Sequence, residues 1–526
     1  MRSAIFLAFV ACLAGRAIAE AASPAGRGEA NWPAWRGPQQ NGVLDGGPAL
    51  TDSLPADAWK PLWESEPIPS DTEGGFGSPA VAGGRVFLYC SWRQWHPVTE
   101  RKLPAGETAQ QLGTPPPGLT EETLAAIEAA RTSPERQALK PPEVGKWAKE
   151  WVAAQPAVTQ QAAVARFAEN RLVRGAAAFP VDGLRAVTQI VNRVFAGEAE
   201  FGAWLQEHVA DQTLRSKVVE LTPTKSSTMD DVILCLNATD GRTLWKKTFP
   251  GRASTWGSSC TPCAADGRVY VVGSTGMAYA FDAASGDLVW TNALSRQASN
   301  ASILFRFGKL FVQAGPLHAL DPASGRVLWT QKAAANDNAS PVAWERDGTA
   351  YILAGGRKTA CVKADDGTVA WTCAGGESST PAVSGDAMAV QYGGGLLVYR
   401  LTPTGAVAVA DVKNIGSRGA SASAAGGRAY TGNNGRAACV DLATGDIVWN
   451  VAGAGEDFAS PILADGKLLA LGSGGRFLLF DAAGGKVLGT GKVDALRCTS
   501  PALAGTRAYV RTRKGVSGYE LAKGNP

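Results

Sequence analysis

The chain has 526 residues, 45% hydrophobic and 19% charged, with 62 glycines and 30 prolines, which is the balance of a globular, turn-rich protein. Its formal net charge of +4 is small for that length and no basic arm accompanies it, which excludes nucleic acid as the expected partner.

Residues 1–19 read as an export signal: Arg2 precedes an apolar run from Ile5 to Gly15, and Ala17-Ile18-Ala19 supplies small residues for cleavage. The run is too short for a membrane span, and a lipid anchor at Cys12 would leave only a very short apolar core. The expected mature protein is soluble and extracytoplasmic, periplasmic or secreted. Residues 20–57 form a lead-in containing "NWPAWRGPQQNGV", and residues 58–92 contain Leu62-Trp63 followed by "SPAVAGGRVFLYCSW".

Residues 93–229 change character, being rich in Ala, Glu, Gln and Arg. Phe201, Trp204, Leu205, His208 and Val209 follow a helical stripe, with further stripes at Leu184, Val187, Val191 and Val194, at Trp147 and Trp151, and at Leu124 and Ile127. A mainly helical insertion is expected here, with His208 packing on the apolar face rather than holding a ligand.

From residue 230 to 526 the chain repeats. Glycines at 241, 286, 325, 367, 405, 445, 485 and 524 end short turn motifs such as "DAASG" and "DLATG", at spacings of 38 to 45 residues. Trp245, Trp290, Trp329, Trp371 and Trp449 stand four residues after their glycines, and Val409 and Gly489 break the rule. A second beat recurs as "SPAV", "TPCA", "SPVA", "TPAV", "SPIL" and "SPAL". Each period contains four short β-rich runs joined by turn signals, and the acids of those turns are read as turn-makers rather than calcium ligands. Four-stranded units at this period predict an all-β, eight-bladed β-propeller with the helical insertion in blade 1. The last repeat holds only three strands, and Leu62-Trp63 matches Leu328-Trp329, so residues 58–92 are expected to supply the closing strand of blade 8 and the first half of blade 1.

The stretches "AFDAASGDLVW", "ALDPASGRVLW" and "CVDLATGDIVW" resemble the tryptophan-docking repeat of quinoprotein alcohol dehydrogenases and related pyrroloquinoline-quinone-like propellers, and "NWPAWRGPQQNGV" resembles the W-P-x-W-R-G-P lead-in of secreted bacterial members. The resemblance covers residues 58–92 and 230–524. It implies the fold, and leaves open either a binding scaffold or a dehydrogenase of alcohols or sugars that uses pyrroloquinoline quinone with calcium.

Blade-to-blade loops and second-to-third-strand loops emerge on one face of such a ring, and the insertion leaves from one of the latter, so it is expected to border that face. Candidate site residues there are Glu73, Arg252, Trp256, Asn300, Asp337, Asn338, Arg418 and Asp457, with Lys358, Arg436 and Arg476 at one repeat position as a partial basic ring. They suit a protein partner or a small anionic ligand. For the dehydrogenase, Glu73, Asn300, Asp337 and Asp457 are suitable residue types and Trp256 a stacking floor, but no motif assigns their roles and no Cys-Cys pair is present. "CTPCA" carries Ala264 where a covalent haem needs histidine, which excludes such a haem. His96, His208 and His318 stand in unrelated contexts, so no Ser/His/Asp set assembles. Cys235, Cys361 and Cys439 share one repeat position with Ala280 as small buried filler, and Cys361 with Cys373 offers a cross-strand disulfide. The reading taken is a binding scaffold, with the dehydrogenase as alternative.

Overall fold

The protein is known here from a computed structural model that describes residues 31–55, 59–107, 111–252, 257–295, 299–336, 338–417, 419–433, 436–452, 459–472 and 474–523. The expected signal at 1–19 lies outside the described residues.

The repeat motif explains itself in "FDAASGDLVW". The Asp282 carboxylate accepts the N–H groups of Ala284 and Ser285 at 2.9 and 2.8 Å, and Gly286 N–H donates to the Asp282 carbonyl at 2.9 Å. Gly286 has φ +74°, and a Cβ there would lie 2.6 Å from the ring of Trp245, the tryptophan of the preceding repeat. That indole in turn donates to the Ala283 carbonyl at 3.2 Å. The acid shapes the turn, and the glycine clears a seat for the neighbouring plate. Trp290, Trp329 and Trp449 dock in the same way, donating to the carbonyls of Pro322, Ala364 and Ala482. Where Val409 replaces the tryptophan, Ala410 lies against Gly445 instead.

These units build a β-propeller. The first sheet contains Ala80–Ala82, Arg85–Pro97, Lys225–Asn237 and Thr243–Pro250, and the next contains Cys263–Ala265, Arg268–Val272, Met277–Asp282 and Leu288–Ala293. Five further sheets repeat the pattern up to Val487–Lys492, and an eighth contains Ala502–Ala504, Arg507–Arg511 and Val516–Glu520 with Trp63–Glu64 paired antiparallel along its outer edge, Trp63 opposite Gly518. Val43–Leu44 adds a parallel fifth strand beside Ile462–Ala464. First strands meet in turn from Ala80–Ala82 through to Ile462–Ala464, and Ala80–Ala82 touches both Cys263–Ala265 and Ala502–Ala504. The two middle strands of each sheet are covered on both faces, which is why Val269–Val272 and Ala278–Phe281 are continuous apolar runs. The outermost strands are largely exposed, as in Leu288–Ala293, where Trp290 is the buried residue.

A second compact unit comprises Trp92–Asp230 with Pro250–Thr255. It contains the helices Glu121–Arg131, Pro141–Ala153, Ala162–Arg174, Val181–Gln189, Glu198–His208 and Gln212–Leu221. One apolar cluster gathers Leu124, Ile127, Ala148 and Phe167, and another gathers Leu184, Val187, Phe195, Phe201 and Leu205. Arg171, 3% exposed, donates to Glu128 at 2.5 Å across two of the helices. The stripe through Leu184 and Val187 stops short of Val191: the helix ends at Gln189, Asn192 has φ +64°, and Val194–Phe195 pairs as a strand with Arg101–Lys102. His208 ends its helix with its ring stacked 4.4 Å from that of Trp204. Among the described residues no helix is long and apolar enough to cross a membrane.

The disulfide between Cys361 and Cys373 does not form. The hairpin register puts Cys361 opposite Trp371 and Cys373 opposite Thr359, and both thiols are free. Cys235, Cys361 and Cys439 are fully buried, as is Ala280.

Candidate binding site

The second beat of the repeat builds a belt. A hydroxyl residue precedes the first strand of each of the eight four- and five-stranded sheets, and in six of them its backbone N–H donates to the hydroxyl oxygen of its counterpart one repeat on. Thr261 donates to Ser302, Ser302 to Ser340, Ser340 to Thr380, Thr380 to Ser421 and Ser421 to Ser460, all at 2.9–3.0 Å. Ser500 N–H continues it to Ser78 at 3.0 Å, while the Ser500 hydroxyl donates to the Ser460 carbonyl at 3.2 Å. A short hydroxyl side chain reaches a neighbouring amide, and the proline that usually follows adds no unpaired N–H to the crowded junction. Thr261 breaks the belt, since its own Oγ1 is buried without a partner.

The lead-in crosses the same region. Trp32 bridges to Val81, the Pro33 carbonyl accepts from Ala264 N–H, Gln40 Nε2 donates to the Ile303 carbonyl, and Asn41 pairs with Ala424. Arg36 donates to the carbonyls of Pro381 and Ala422. Gly37, at φ +82°, has no room for a Cβ against the Trp32 ring, 2.8 Å away. The segment is thereby tied to first strands of several sheets.

Between belt and lead-in lies a cavity of about 220 Å3. Its wall draws on two repeat positions: the belt residue, at Ser78, Ser302, Ser340, Thr380 and Ser421, and the residue two before the belt, at Phe76, Ser259, Asn300, Asn338, Ser378, Gly419 and Cys498. Trp35 contributes the lead-in's share. Asn300 Oδ1 accepts from Ser259 N–H at 3.0 Å, and Asn300 Nδ2 donates to Asn338 Oδ1 at 2.9 Å.

Of the sequence candidates, Asn300 and Asn338 line this cavity together. Glu73 lies in a turn where its N–H donates to the Ser70 carbonyl at 3.1 Å, outside the cavity wall. Arg252 belongs to the second compact unit. Lys358, Arg436 and Arg476 are exposed at the starts of third strands, two strands out from the first, and Arg436 donates to Asn450 Oδ1 at 2.9 Å. Trp256, Asp337, Arg418 and Asp457 lie outside the described residues. The belt hydroxyls and Trp35 escaped selection as site residues, although the recurring Ser/Thr-Pro beat marks most of the belt.

A buried carboxylate stands elsewhere. Asp231, fully buried, accepts from Tyr89 Oη at 2.6 Å and from Ser274 Oγ at 2.7 Å. Burial raises its pKa above the ordinary aspartate range, against the opposing effect of these bonds.

Fold and repeat together define a tryptophan-docked propeller of the pyrroloquinoline-quinone-like class. The chain belongs to the family described as outer membrane protein assembly factor BamB, whose model matches residues 229–316 and 313–526. Among solved structures it is similar to BamB from Moraxella catarrhalis, at 16% identity over 56% of this chain and 93% of that one, with a TM-score of 0.43. It is also similar to a europium-containing methanol dehydrogenase, at 12% identity over 55% and 81%, TM-score 0.44. A third is the quinohemoprotein alcohol dehydrogenase from Comamonas testosteroni, at 12% over 57% and 73%, TM-score 0.42. No curated protein matches.

The cavity does not fit a quinone with calcium. A hard divalent cation needs carboxylate or free carbonyl oxygens, whereas the described wall offers hydroxyls and amides, and both asparagine oxygens already accept N–H groups. About 220 Å3 is also below the 300 Å3 or so at which pockets for drug-sized ligands begin.

Proposed function

We propose that this protein is an exported, quinoprotein-like propeller that acts as a binding scaffold, with its eight sheets as eight blades and residues 93–229 as an inserted helical module. The observation that carries the reading is the make-up of the axial wall. The described wall carries Ser, Thr and Asn, and their backbone amides and side-chain oxygens join sheet to sheet. Such a centre serves the ring's cohesion, and the loop face is left to recognise a protein partner. The exposed Lys358, Arg436 and Arg476 suit an acidic surface there.

The deciding experiment incubates the purified protein with pyrroloquinoline quinone and calcium. A scaffold gains no quinone absorbance and reduces no artificial electron acceptor, whereas cation-dependent dye reduction would overturn the reading.

A further inference from the structure

The helix Ala162–Arg174 buries one side among the apolar residues of the second compact unit, through Val164, Ala168 and Leu172. Ala163, Arg166, Phe167 and Asn170 follow one another at helical spacing and share a neighbouring face. Residues 112–118 are fastened near both ends of this helix. Arg174 donates to the Gln111 carbonyl at 2.9 Å and to the Leu112 carbonyl at 3.5 Å, and Gly118 packs so close to Gln161 that a Cβ would fall 2.5 Å from its Oε1. The extended segment from Leu112 to Gly118 and the helix from Gln161 to Arg174 both span roughly 19 Å, so the two anchors match without slack.

Helix and segment wall a cavity of about 810 Å3, within the range of roughly 300–1,000 Å3 typical of small-molecule pockets. Gly113 to Pro117 form the side opposite the helix, and Ala105, Thr188 and Val191 complete the wall. Its polar side chains are Thr114, Arg166, Asn170 and Thr188, and Thr188 donates its hydroxyl to the Leu184 carbonyl at 2.8 Å. Arg166 and Asn170, one helical turn apart, make no hydrogen bond, ion pair or ring contact among the described residues. The other nine of the ten arginines in residues 93–229 each meet a carboxylate, a carbonyl, a hydroxyl or an aromatic ring. Among the described residues no acidic side chain lines the cavity.

We propose that this cavity binds a small organic monocarboxylate with an apolar body. Arg166 and Asn170 hold the carboxylate oxygens, and Pro115, Pro116, Phe167 and Val191 hold the body. A guanidinium beside an amide donor matches the two oxygens of a carboxylate. Both side chains are exposed, so water screens the ion pair and the apolar wall supplies most of the affinity. The three prolines carry no N–H, so an extended peptide would find no backbone donors along that side, whereas a small acid has its polar groups at one end. The lining residues all belong to the second compact unit. The site stands independently of the scaffold reading, because the quinone assay and a carboxylate titration report different ligands.

The full-length protein would be titrated calorimetrically with 3-phenylpropionate, with its primary amide, and with an N-acetylated tripeptide that ends in a free phenylalanine carboxylate. Saturable binding of the acid is expected, with weaker binding of the amide. Arg166→Met should weaken the acid about fivefold by removing the cation. Ala163→Leu, which fills the cavity from an exposed helical position, should weaken it at least about tenfold. Both replaced residues are exposed, and circular dichroism checks that the variants fold. Absence of saturable binding, equal binding of the amide, binding unchanged in either variant, or tighter binding of the tripeptide than of the acid would overturn the assignment.

Discussion

Replacing Trp63 by alanine tests how the eighth sheet is held. The indole is 8% exposed and lies between Gly241 and Gly518, so close that a Cβ on either glycine would fall 2.3–2.7 Å from its ring atoms. Its Nε1 donates to the Ala238 carbonyl at 3.1 Å. Truncating a buried tryptophan loses transfer free energy and leaves a cavity, about 3–5 kcal/mol together. The hydrogen-bond share of that loss is small, because Tyr509 Oη also donates to Ala238 at 3.3 Å and keeps the carbonyl satisfied. Trp245→Ala is the matched reference, since Trp245 is equally exposed at 8% and donates to Ala283 in the same manner. Urea unfolding followed by far-ultraviolet circular dichroism should give similar losses for the two variants. A loss below about 1 kcal/mol at Trp63 beside a full loss at Trp245 would refute the reasoning that the N-terminal strand seals that sheet.

Further outcomes follow from single contacts. Gly485→Ala should destabilise more than Gly466→Ala in the same urea assay: both glycines have positive φ, but only at 485 does the new Cβ meet a ring, Trp449 at 2.6 Å, so overpacking of about 1–3 kcal/mol is added to the backbone strain. Thr261→Val should raise stability by about 1 kcal/mol, because it replaces an unpartnered buried hydroxyl by a methyl of the same shape, and a loss instead would mean that Oγ1 has a partner. Asp231 has a folded pKa above its unfolded value of about 3.9, so its stabilising contribution is complete below that value and is lost as pH rises through the folded pKa. Wild type should accordingly lose stability relative to Asp231→Asn across that rise, and a difference that stays flat with pH would contradict the burial argument. Charge reversal at Lys358, Arg436 and Arg476 should weaken association with an acidic partner more at low salt than at high, and salt-independent binding would remove these residues from the interface.

Glycine and tryptophan of the repeat were legible because each meets its counterpart in the next period: a seat at Gly286 implies a plate at Trp245 wherever repeats stack. Asn300 and Asn338, singled out as polar residues of the blade-to-blade loops, occupy equivalent positions in consecutive repeats, which is why their side chains meet. Lys358, Arg436 and Arg476 share a repeat position too, yet periodicity carries no information on distance from the axis. The order of strands within each sheet decides that distance, and it puts them two strands away from the first.

By itself the sequence determined the repeat unit, its turn chemistry and its membership of the tryptophan-docked class, because those depend on contacts within one period or between adjacent ones. Only the tertiary structure decided where the lead-in goes and what it makes. Arg36 meets Pro381 and Ala422 across 345 and 386 residues of chain, and the belt comes to line a cavity only when the segments before first strands of separate repeats converge. The fate of Cys361 and Cys373 was decided by the register of their hairpin, which pairs Cys361 with Trp371 and Cys373 with Thr359. A period specifies neighbours along the ring, while convergence on its axis is a property of the closed ring that no single repeat contains.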